Sequence, residues 1–287
     1  MVAADPFLSR AGGDRRARSA RFCLHSDVSD AAASLEALPI PVAMATALGH
    51  VRDELLAAAG ENLVALVLYG GLARGRHRGA RSDADIAVVL EDASPERVGE
   101  VAPILLAGWR AARVEPWILA RSELPRLAEV FPTKVQDISE HHLVLSGEDV
   151  FAAVRVDRRH LRLRVEQELT NLSLRLRRGL VTLAGDPASM ATNLSGVARP
   201  LAIQLAALLR LAGRELPEED RSAAIFAAAA AAFGLDASAL TALAALRQGD
   251  GEVADVADLF GRVQAVATRA ADVAAALEVP AGEGSAT

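Results

Sequence analysis

Two short apolar runs on either side of a polar, glycine-rich loop constrain the first half of this chain. The first, "LVALVLY", covers Leu63 to Tyr69, and the second, "ADIAVVL", covers Ala84 to Leu90. Runs of this length between turn-forming residues are typical of strands buried on both faces. Ser94 and Pro95 then form a typical helix start, and "RVEPWILA", Arg113 to Ala120, has the character of a third strand. The order strand, strand, helix, strand predicts an α+β fold, a small mixed sheet with flanking helices.

The pattern becomes helical near Val154 and stays helical afterwards. Apolar residues recur at steps of three and four, which is the period of a helix with one buried face. These residues are Leu161, Val165, Leu169, Leu172, Leu176, Leu180 and Leu183. We therefore predict a mobile arm over residues 1–40, an α+β domain over 41–153, an all-α helical bundle domain over 154–280 and a frayed tail over 281–287.

Charge and cysteine content limit the classes of function. The formal net charge is −6, which argues against a protein that mainly binds a nucleic-acid backbone, because that binding depends on clustered Lys and Arg. Cys23 is the single cysteine and has no partner for an internal disulfide. No run reaches the roughly 20 apolar residues of a membrane span, and the N-terminus has no apolar secretory segment. We expect a cytoplasmic protein that does not enter a membrane; the oligomeric state stays open.

Two aspartates lie where the second apolar run begins. Asp83 and Asp85 are two positions apart, so on a strand both carboxylates point to the same face. A solvated acidic strand end is the plain interpretation of such a pair. A divalent metal would remove the repulsion between the carboxylates, and Mg²⁺ suits oxygen ligands when phosphates are present. Gly70 and Gly71, directly after the first run, allow backbone N–H groups to approach such an anion.

The stretch "GGLARG" followed by "SDADIAV" resembles the signature of the DNA polymerase β-type nucleotidyltransferase superfamily. In that superfamily a strand leads to Gly-Ser or Gly-Gly, often followed by an Ala-Arg-Gly turn, and then to Asp-x-Asp on the next strand. The order of predicted elements extends the resemblance over roughly residues 42–150. Gly71 stands where many members have serine, so this chain lacks a hydroxyl that could contact a phosphate.

The resemblance implies transfer of a nucleoside monophosphate from a nucleoside triphosphate, with ATP the favoured donor, to an acceptor hydroxyl. It implies Mg²⁺ bound by Asp83 and Asp85, and nucleotide bound near Gly70, Gly71, Arg74 and Ser82. Arg74 could equally buttress its loop. The family uses a third carboxylate on a later strand, and Glu115 in "RVEPW" is the candidate. Glu115 is expected to complete the metal and catalytic set with Asp83 and Asp85, or to act as general base.

Several acceptors fit this resemblance. An α/β module followed by a helical bundle resembles the layout of aminoglycoside nucleotidyltransferases, and an acidic protein suits a polycationic acceptor, for which Glu166 and Glu168 are candidate contacts. An antitoxin-type nucleotidyltransferase that modifies or masks a partner protein is the alternative. No histidine follows His160, so the helical half does not resemble a HEPN toxin itself. Tailing of an RNA 3′ end is a further option, which the acidic net charge disfavours. A non-catalytic, nucleotide-binding member is the remaining hypothesis.

Overall fold

The structure is a computed structural model that describes residues 40–76, 82–217, 222–249 and 254–279, together with Leu35 and Leu38. Four strands lie in the first half: β1 (Leu63–Tyr69), β2 (Ala84–Leu90), β3 (Val114–Ala120) and β4 (His142–Gly147). The helices of this half are α1 (Val42–Ala59), α2 (Gly70–Ala73), α3 (Pro95–Ala112), α4 (Leu124–Val130) and α5 (Pro132–Glu140). The helices of the second half are α6 (Arg158–Thr182), α7 (Pro187–Leu211), α8 (Ser222–Phe233), α9 (Ala237–Gln248) and α10 (Val256–Ala276).

The four strands form one mixed sheet in the order β3-β2-β1-β4. Strand β1 is antiparallel to both β2 and β4, whereas β2 and β3 run parallel. At one end of the sheet, Tyr69 of β1 pairs with Asp85 of β2, and Asp85 pairs with Glu115 of β3. His142 of β4 lies beside Tyr69 on its other side. The register therefore places a row of polar groups across one end of an apolar sheet.

Helices cover both faces of the sheet. One face, with Leu66, Ile86 and Val88, packs in a core with Leu55 of α1 and Leu105 of α3. The other face has Tyr69, Val67, Ala87, Val89 and Leu119, and its core continues into α4 and α5 through Leu127, Val135 and Ile138. Burial on both faces explains why β1 and β2 are continuous apolar runs instead of alternating ones.

The helical half has its own apolar core, built mainly from leucine and alanine along α6, α7 and α10. Aspartate side chains cap four of its helices by accepting a backbone N–H of the first turn. These caps are Asp157, Asp186, Asp236 and Asp255. Small residues such as Gly179 let α6 approach the ring of Phe260 on α10 closely.

The predicted fold class is confirmed: a small mixed sheet with flanking helices precedes a helical region. The passage around "DISEHHLVLSGEDVF", which shows little sequence regularity, forms the end of α5 and strand β4. Most of the predicted arm and tail lies outside the described residues. Leu35, although within the predicted arm, is buried in the core beneath the sheet, and Leu38 and Ile40 pack against the same core. The domain boundaries stay predictions.

Helix α7 is the one helix within the described ranges that is long and apolar enough to cross a membrane, with a mean hydropathy of 1.3 over its most apolar window. Half of that window is buried inside the protein. Leu194, Leu201, Leu205 and Leu208 of α7 belong to the helical core. Core helices of water-soluble proteins have the same composition, so the length and hydropathy of α7 are weak evidence for a membrane span.

Candidate active site

The turn that follows β1 is shaped around the carboxylate of Asp85. Gly70 has a φ of +74°, a backbone conformation that favours glycine. A Cβ atom at Gly70 would collide with Oδ2 of Asp85. Gly71 is different, since a Cβ there would meet only the carbonyl oxygen of Arg76 at 3.7 Å, an ordinary contact. Gly70 thus lets the backbone lie directly against the Asp85 carboxylate.

Asp83 directly precedes β2, Asp85 is the second residue of β2, and both line the same cavity. The Asp83 carboxylate accepts a hydrogen bond from Nε of Arg113 at 2.6 Å. Arg113 comes just before β3 in the left-handed region, with a φ of 52°, and its guanidinium carbon lies 5.0 Å from the ring centroid of Trp109. Asp83 is therefore held by an arginine, whereas the carboxylate of Asp85 lies against Gly70.

Glu115 lies next to Asp85 in the parallel register of β2 and β3. Side chains in direct register lie on the same face, so the predicted third acid is the neighbour of Asp85. Glu115 is exposed, and the cavity lining includes Asp83 and Asp85 without it. Throughout the described ranges, no three His, Cys, Asp or Glu side chains are close enough to hold a metal ion together. The structure brings Asp83 and Asp85 to the cavity, and the role of Glu115 stays a prediction.

Negative charge accumulates around Asp85. Burial raises the pKa of Asp85, and the nearby carboxylates of Asp83 and Glu115 raise it further, while Arg199 and Lys134 act in the opposite direction. Burial, together with the charges of Asp85 and Glu115, also raises the pKa of Tyr69. A divalent cation would offset this negative charge, and the carboxylate oxygens of Asp83 and Asp85 are ligands suited to Mg²⁺.

Lys134 of α5 is a site residue that the sequence interpretation missed. Its Nζ lies 3.8 Å from the ring centroid of Trp117 and 5.1 Å from that of Tyr69. Burial lowers the pKa of Lys134, although Asp85 and Glu115 oppose this shift. Lys134 is also the only lysine among the 31 Lys and Arg residues of the chain. That rarity was a signal available in the sequence.

Arg74 and Ser82, for which the sequence predicts nucleotide binding, also line the cavity. A guanidinium nitrogen of Arg74 donates to the Asp137 carboxylate of α5 and lies 3.4 Å from Nδ1 of His141. Arg74 therefore links its turn to α5 while its side chain borders the cavity. Its position allows both the buttressing role and the phosphate-binding role.

The cavity has a volume of about 540 Å³ and lies between the sheet and the helical half. Helix α7 contributes Arg199, Gln204 and Arg210, and α6 contributes Arg164 and Glu168. Glu168 pairs with Arg164, with 2.6 Å between Nη2 and Oε1, and Glu166 pairs with Arg162 at 2.9 Å. Of the two predicted acceptor contacts, Glu168 lies in the cavity wall and Glu166 does not.

Comparison with protein families assigns the half that contains the sheet to a known family. Residues 51–146, from the middle of α1 to β4, match the nucleotidyltransferase domain family. The chain carries a nucleotidyltransferase domain. This confirms the resemblance to the polymerase β-type superfamily and assigns the domain to the transferases of phosphorus-containing groups. A comparison with curated proteins gives no match.

Proposed function

We propose that this chain is a metal-dependent nucleotidyltransferase that moves AMP from ATP to an acceptor hydroxyl. The observation that carries the proposal is the position of Asp83 and Asp85 against the Gly70 turn, in a cavity bordered by both halves of the chain. Nucleotidyl transfer needs a place where phosphate and divalent cation meet. In this chain the family signature and the acid-lined cavity coincide, which supports the proposal.

The reaction joins an acceptor oxygen to the α-phosphorus of the donor and breaks the bond from that phosphorus to the oxygen leading to the β-phosphate. Pyrophosphate leaves, and the proton of the hydroxyl passes to a base. Asp83 and Asp85 would hold Mg²⁺, which when bound neutralises charge on the phosphates and polarises the reacting phosphorus. Glu115, in register with Asp85, is the carboxylate that we assign either as a further metal ligand or as the base.

The turn residues Gly70, Gly71, Arg74 and Ser82 form the proposed donor-binding turn. Arg74 lies in the cavity wall, fixed to Asp137. These residues orient the donor, and the apolar side chains of Ile203 and Ile225 on the opposite wall help to exclude water.

The acceptor that we propose is of small-molecule size, because a cavity of about 540 Å³ is in the range of small-molecule sites. Its lining offers a polycation few uncommitted carboxylates, since Asp83, Asp137 and Glu168 are each bound to an arginine. We therefore propose a hydroxyl compound without a requirement for positive charge. We also propose a cytoplasmic location, where ATP and Mg²⁺ are abundant.

The test is transfer of label from radiolabelled nucleoside triphosphates to separate pools of small hydroxyl compounds, total protein and total RNA, in the presence of Mg²⁺. Asp83→Asn and Asp85→Asn should each lower transfer by about two orders of magnitude or more, because the neutral amide weakens metal binding. Asp272→Asn, an exposed change on α10, is the matched control and should transfer normally. Undiminished transfer by either active-site variant would refute the assignment of the two aspartates.

A further inference from the structure

Two cations from different parts of the fold enter the cavity that contains Asp85. Lys134 projects from α5 beside the sheet, and Arg199 belongs to α7 of the helical half. Both line the same cavity as Asp83 and Asp85. The two residues are 65 positions apart in the sequence, so only the packing of the two halves brings them to one site.

Three other cations of the cavity wall are already bound to carboxylates. Arg74 pairs with Asp137, and Arg164 pairs with Glu168. Arg210 pairs with Glu140, with 2.8 Å between Nη2 and Oε2. Within the described part of the chain, neither Lys134 nor Arg199 has such an ion pair or a side-chain hydrogen bond. Their charges are available to a ligand.

The surroundings of Lys134 select a compact cation. Its ammonium group lies over the rings of Trp117 and Tyr69, which hold the charge by cation–π attraction without neutralising it. Lys134 is the only lysine of the chain, which elsewhere uses arginine. An ammonium group is smaller than a planar guanidinium and behaves as a point charge with three donors. The ammonium group of Lys134 therefore has the size and charge to bind a single phosphate oxygen.

Charge balance identifies the ligand class. With a divalent cation on Asp83 and Asp85, Lys134 and Arg199 would both face a positive centre, and the three cations would repel one another. An anion between them removes that repulsion. The donor that the proposed reaction uses brings a polyanionic phosphate chain to this place.

We propose that Lys134 and Arg199 bind the phosphate chain of the donor nucleoside triphosphate from opposite walls of the cavity. The inference rests on the proposed function. It makes the helical half, which lies outside the matched nucleotidyltransferase domain, a contributor to donor binding through Arg199. The donor then contacts both halves of the chain at once.

The test is calorimetric titration of the full chain with a non-hydrolysable ATP analogue and, separately, with AMP, in the presence of Mg²⁺ and without any acceptor. Lys134→Met and Arg199→Gln should each weaken binding of the triphosphate analogue by about tenfold or more, the usual effect of losing a charge-assisted contact. AMP affinity should change by less than about threefold in both variants, since AMP lacks the β- and γ-phosphates. Arg175→Gln, an exposed arginine on α6 outside the cavity wall, is the matched control and should bind both nucleotides normally.

Each result has a defined meaning. Selective loss of triphosphate affinity in both variants, with unchanged thermal unfolding, supports the proposal. Triphosphate affinity within about twofold of wild type in either variant overturns the proposal. That result is expected if, for example, Arg199 binds an anionic acceptor instead of the donor. Equal loss of triphosphate and AMP affinity also overturns it, because the residue would then act on the nucleoside end or on the fold. Failure of the unaltered protein to bind the analogue would instead refute the proposed function.

Discussion

At the scale of single residues, the site depends on the close approach of one backbone position to one carboxylate. Gly70 combines a left-handed φ of +74° with direct proximity to Oδ2 of Asp85. Any other residue would be strained there and would also displace the aspartate. Gly71 carries neither constraint, although the two glycines are adjacent in the sequence.

Replacing these glycines in turn separates the two roles. Gly70→Ala should destabilise the protein by about 1–3 kcal/mol, because the left-handed conformation is strained and the new Cβ collides with Asp85. It should also weaken binding of the Mg²⁺–triphosphate analogue by about tenfold or more through displacement of that carboxylate. Gly71→Ala is the matched control and should change stability by less than about 0.5 kcal/mol. Urea denaturation measures stability in both variants, and calorimetry measures nucleotide binding by Gly70→Ala; similar losses of stability in both variants would contradict the structural distinction.

Local sequence patterns were sufficient to predict Asp83, Asp85 and the glycine turn, because these residues are close in sequence and their spacing sets their side-chain directions. Lys134 and Arg199 could not be placed in the site by the same argument. They line the cavity through the packing of α5 and α7, which no short-range period describes. The only available signal was compositional, namely that Lys134 is the single lysine.

At the scale of secondary structure elements, α1 and α3 pack closely where α3 has no side chain. A Cβ on Gly108 would lie 2.7 Å from Cγ2 of Val51 on α1 and 3.4 Å from Cβ of Val114 on β3. Gly99, on the same helix, has open space around the equivalent position. One glycine of α3 therefore serves packing, and the other only lowers helix propensity.

Alanine substitutions in α3 test this contrast. Gly108→Ala should lower the free energy of unfolding by about 1–3 kcal/mol, because the added methyl overpacks the contact with Val51. Gly99→Ala should raise it by about 0.5–1 kcal/mol, because alanine is the better helix former at an exposed position. Chemical denaturation of both variants provides the measurement. Stabilisation by both substitutions would show that α1 and α3 have room between them.

The capping aspartate of α9 also links two elements. Asp236 accepts from the backbone N–H of Ala239 and from Nε and Nη2 of Arg262 on α10, each of the latter at 2.8 Å. The Arg262 guanidinium and the Ala239 amide hold the pKa of Asp236 well below its usual range. A carboxyl whose pKa is lowered in the folded state stabilises the fold above its unfolded pKa of about 3.9, and this contribution disappears as the pH falls through the folded-state value.

Asp236→Asn keeps a capping oxygen but removes the charge. It should cost about 1 kcal/mol of unfolding free energy at pH 7, the size expected for a partly exposed bidentate pair. The difference from wild type should diminish as the pH falls below about 4, because the Asp236 carboxyl of the unfolded wild-type chain then takes up a proton that the folded carboxyl does not. Asp255→Asn, a cap whose oxygen accepts from the backbone of Asp258, is the control and should cost less at pH 7. A loss for Asp236→Asn that is independent of pH would show that Arg262 contributes nothing through charge.

The bounds of β1 and β2 followed from their apolar runs, because each strand is buried on both faces between turn residues. Strand β4 was not predicted. Its sequence, "HLVLSG", begins with a histidine, and its extended conformation depends on pairing with β1. His142 fits the strand because its ring nitrogens contact the carbonyl of Ile138 at 2.7 Å and the carboxylate of Asp149 at 2.9 Å. Long-range pairing of this kind leaves little trace in the local pattern.

At the scale of the whole molecule, the functional cavity is a property of the two halves together. The sequence predicted a catalytic unit followed by a helical unit, but the shared cavity depends on tertiary contacts that periodicity does not describe. Although the chain has a net charge of −6, the cavity wall is not uniformly acidic. Arginines from the helical half line the wall opposite the aspartates, because net charge is a sum over the surface and not a map of one cleft.

The ion pair between Glu140 of α5 and Arg210 of α7 joins these halves beside the cavity. Its side chains are 31% and 25% exposed, so solvent screens the pair less than one on the open surface. In a double-mutant cycle of Glu140→Gln and Arg210→Gln, we expect a coupling energy of about 0.5–1.5 kcal/mol from urea denaturation. The exposed Arg97–Glu100 pair within α3 is the control, with expected coupling below about 0.5 kcal/mol. If the effects of the Glu140 and Arg210 substitutions add within about 0.3 kcal/mol, this ion pair does not hold the two cavity walls together. Apolar contacts between the halves must then do so alone.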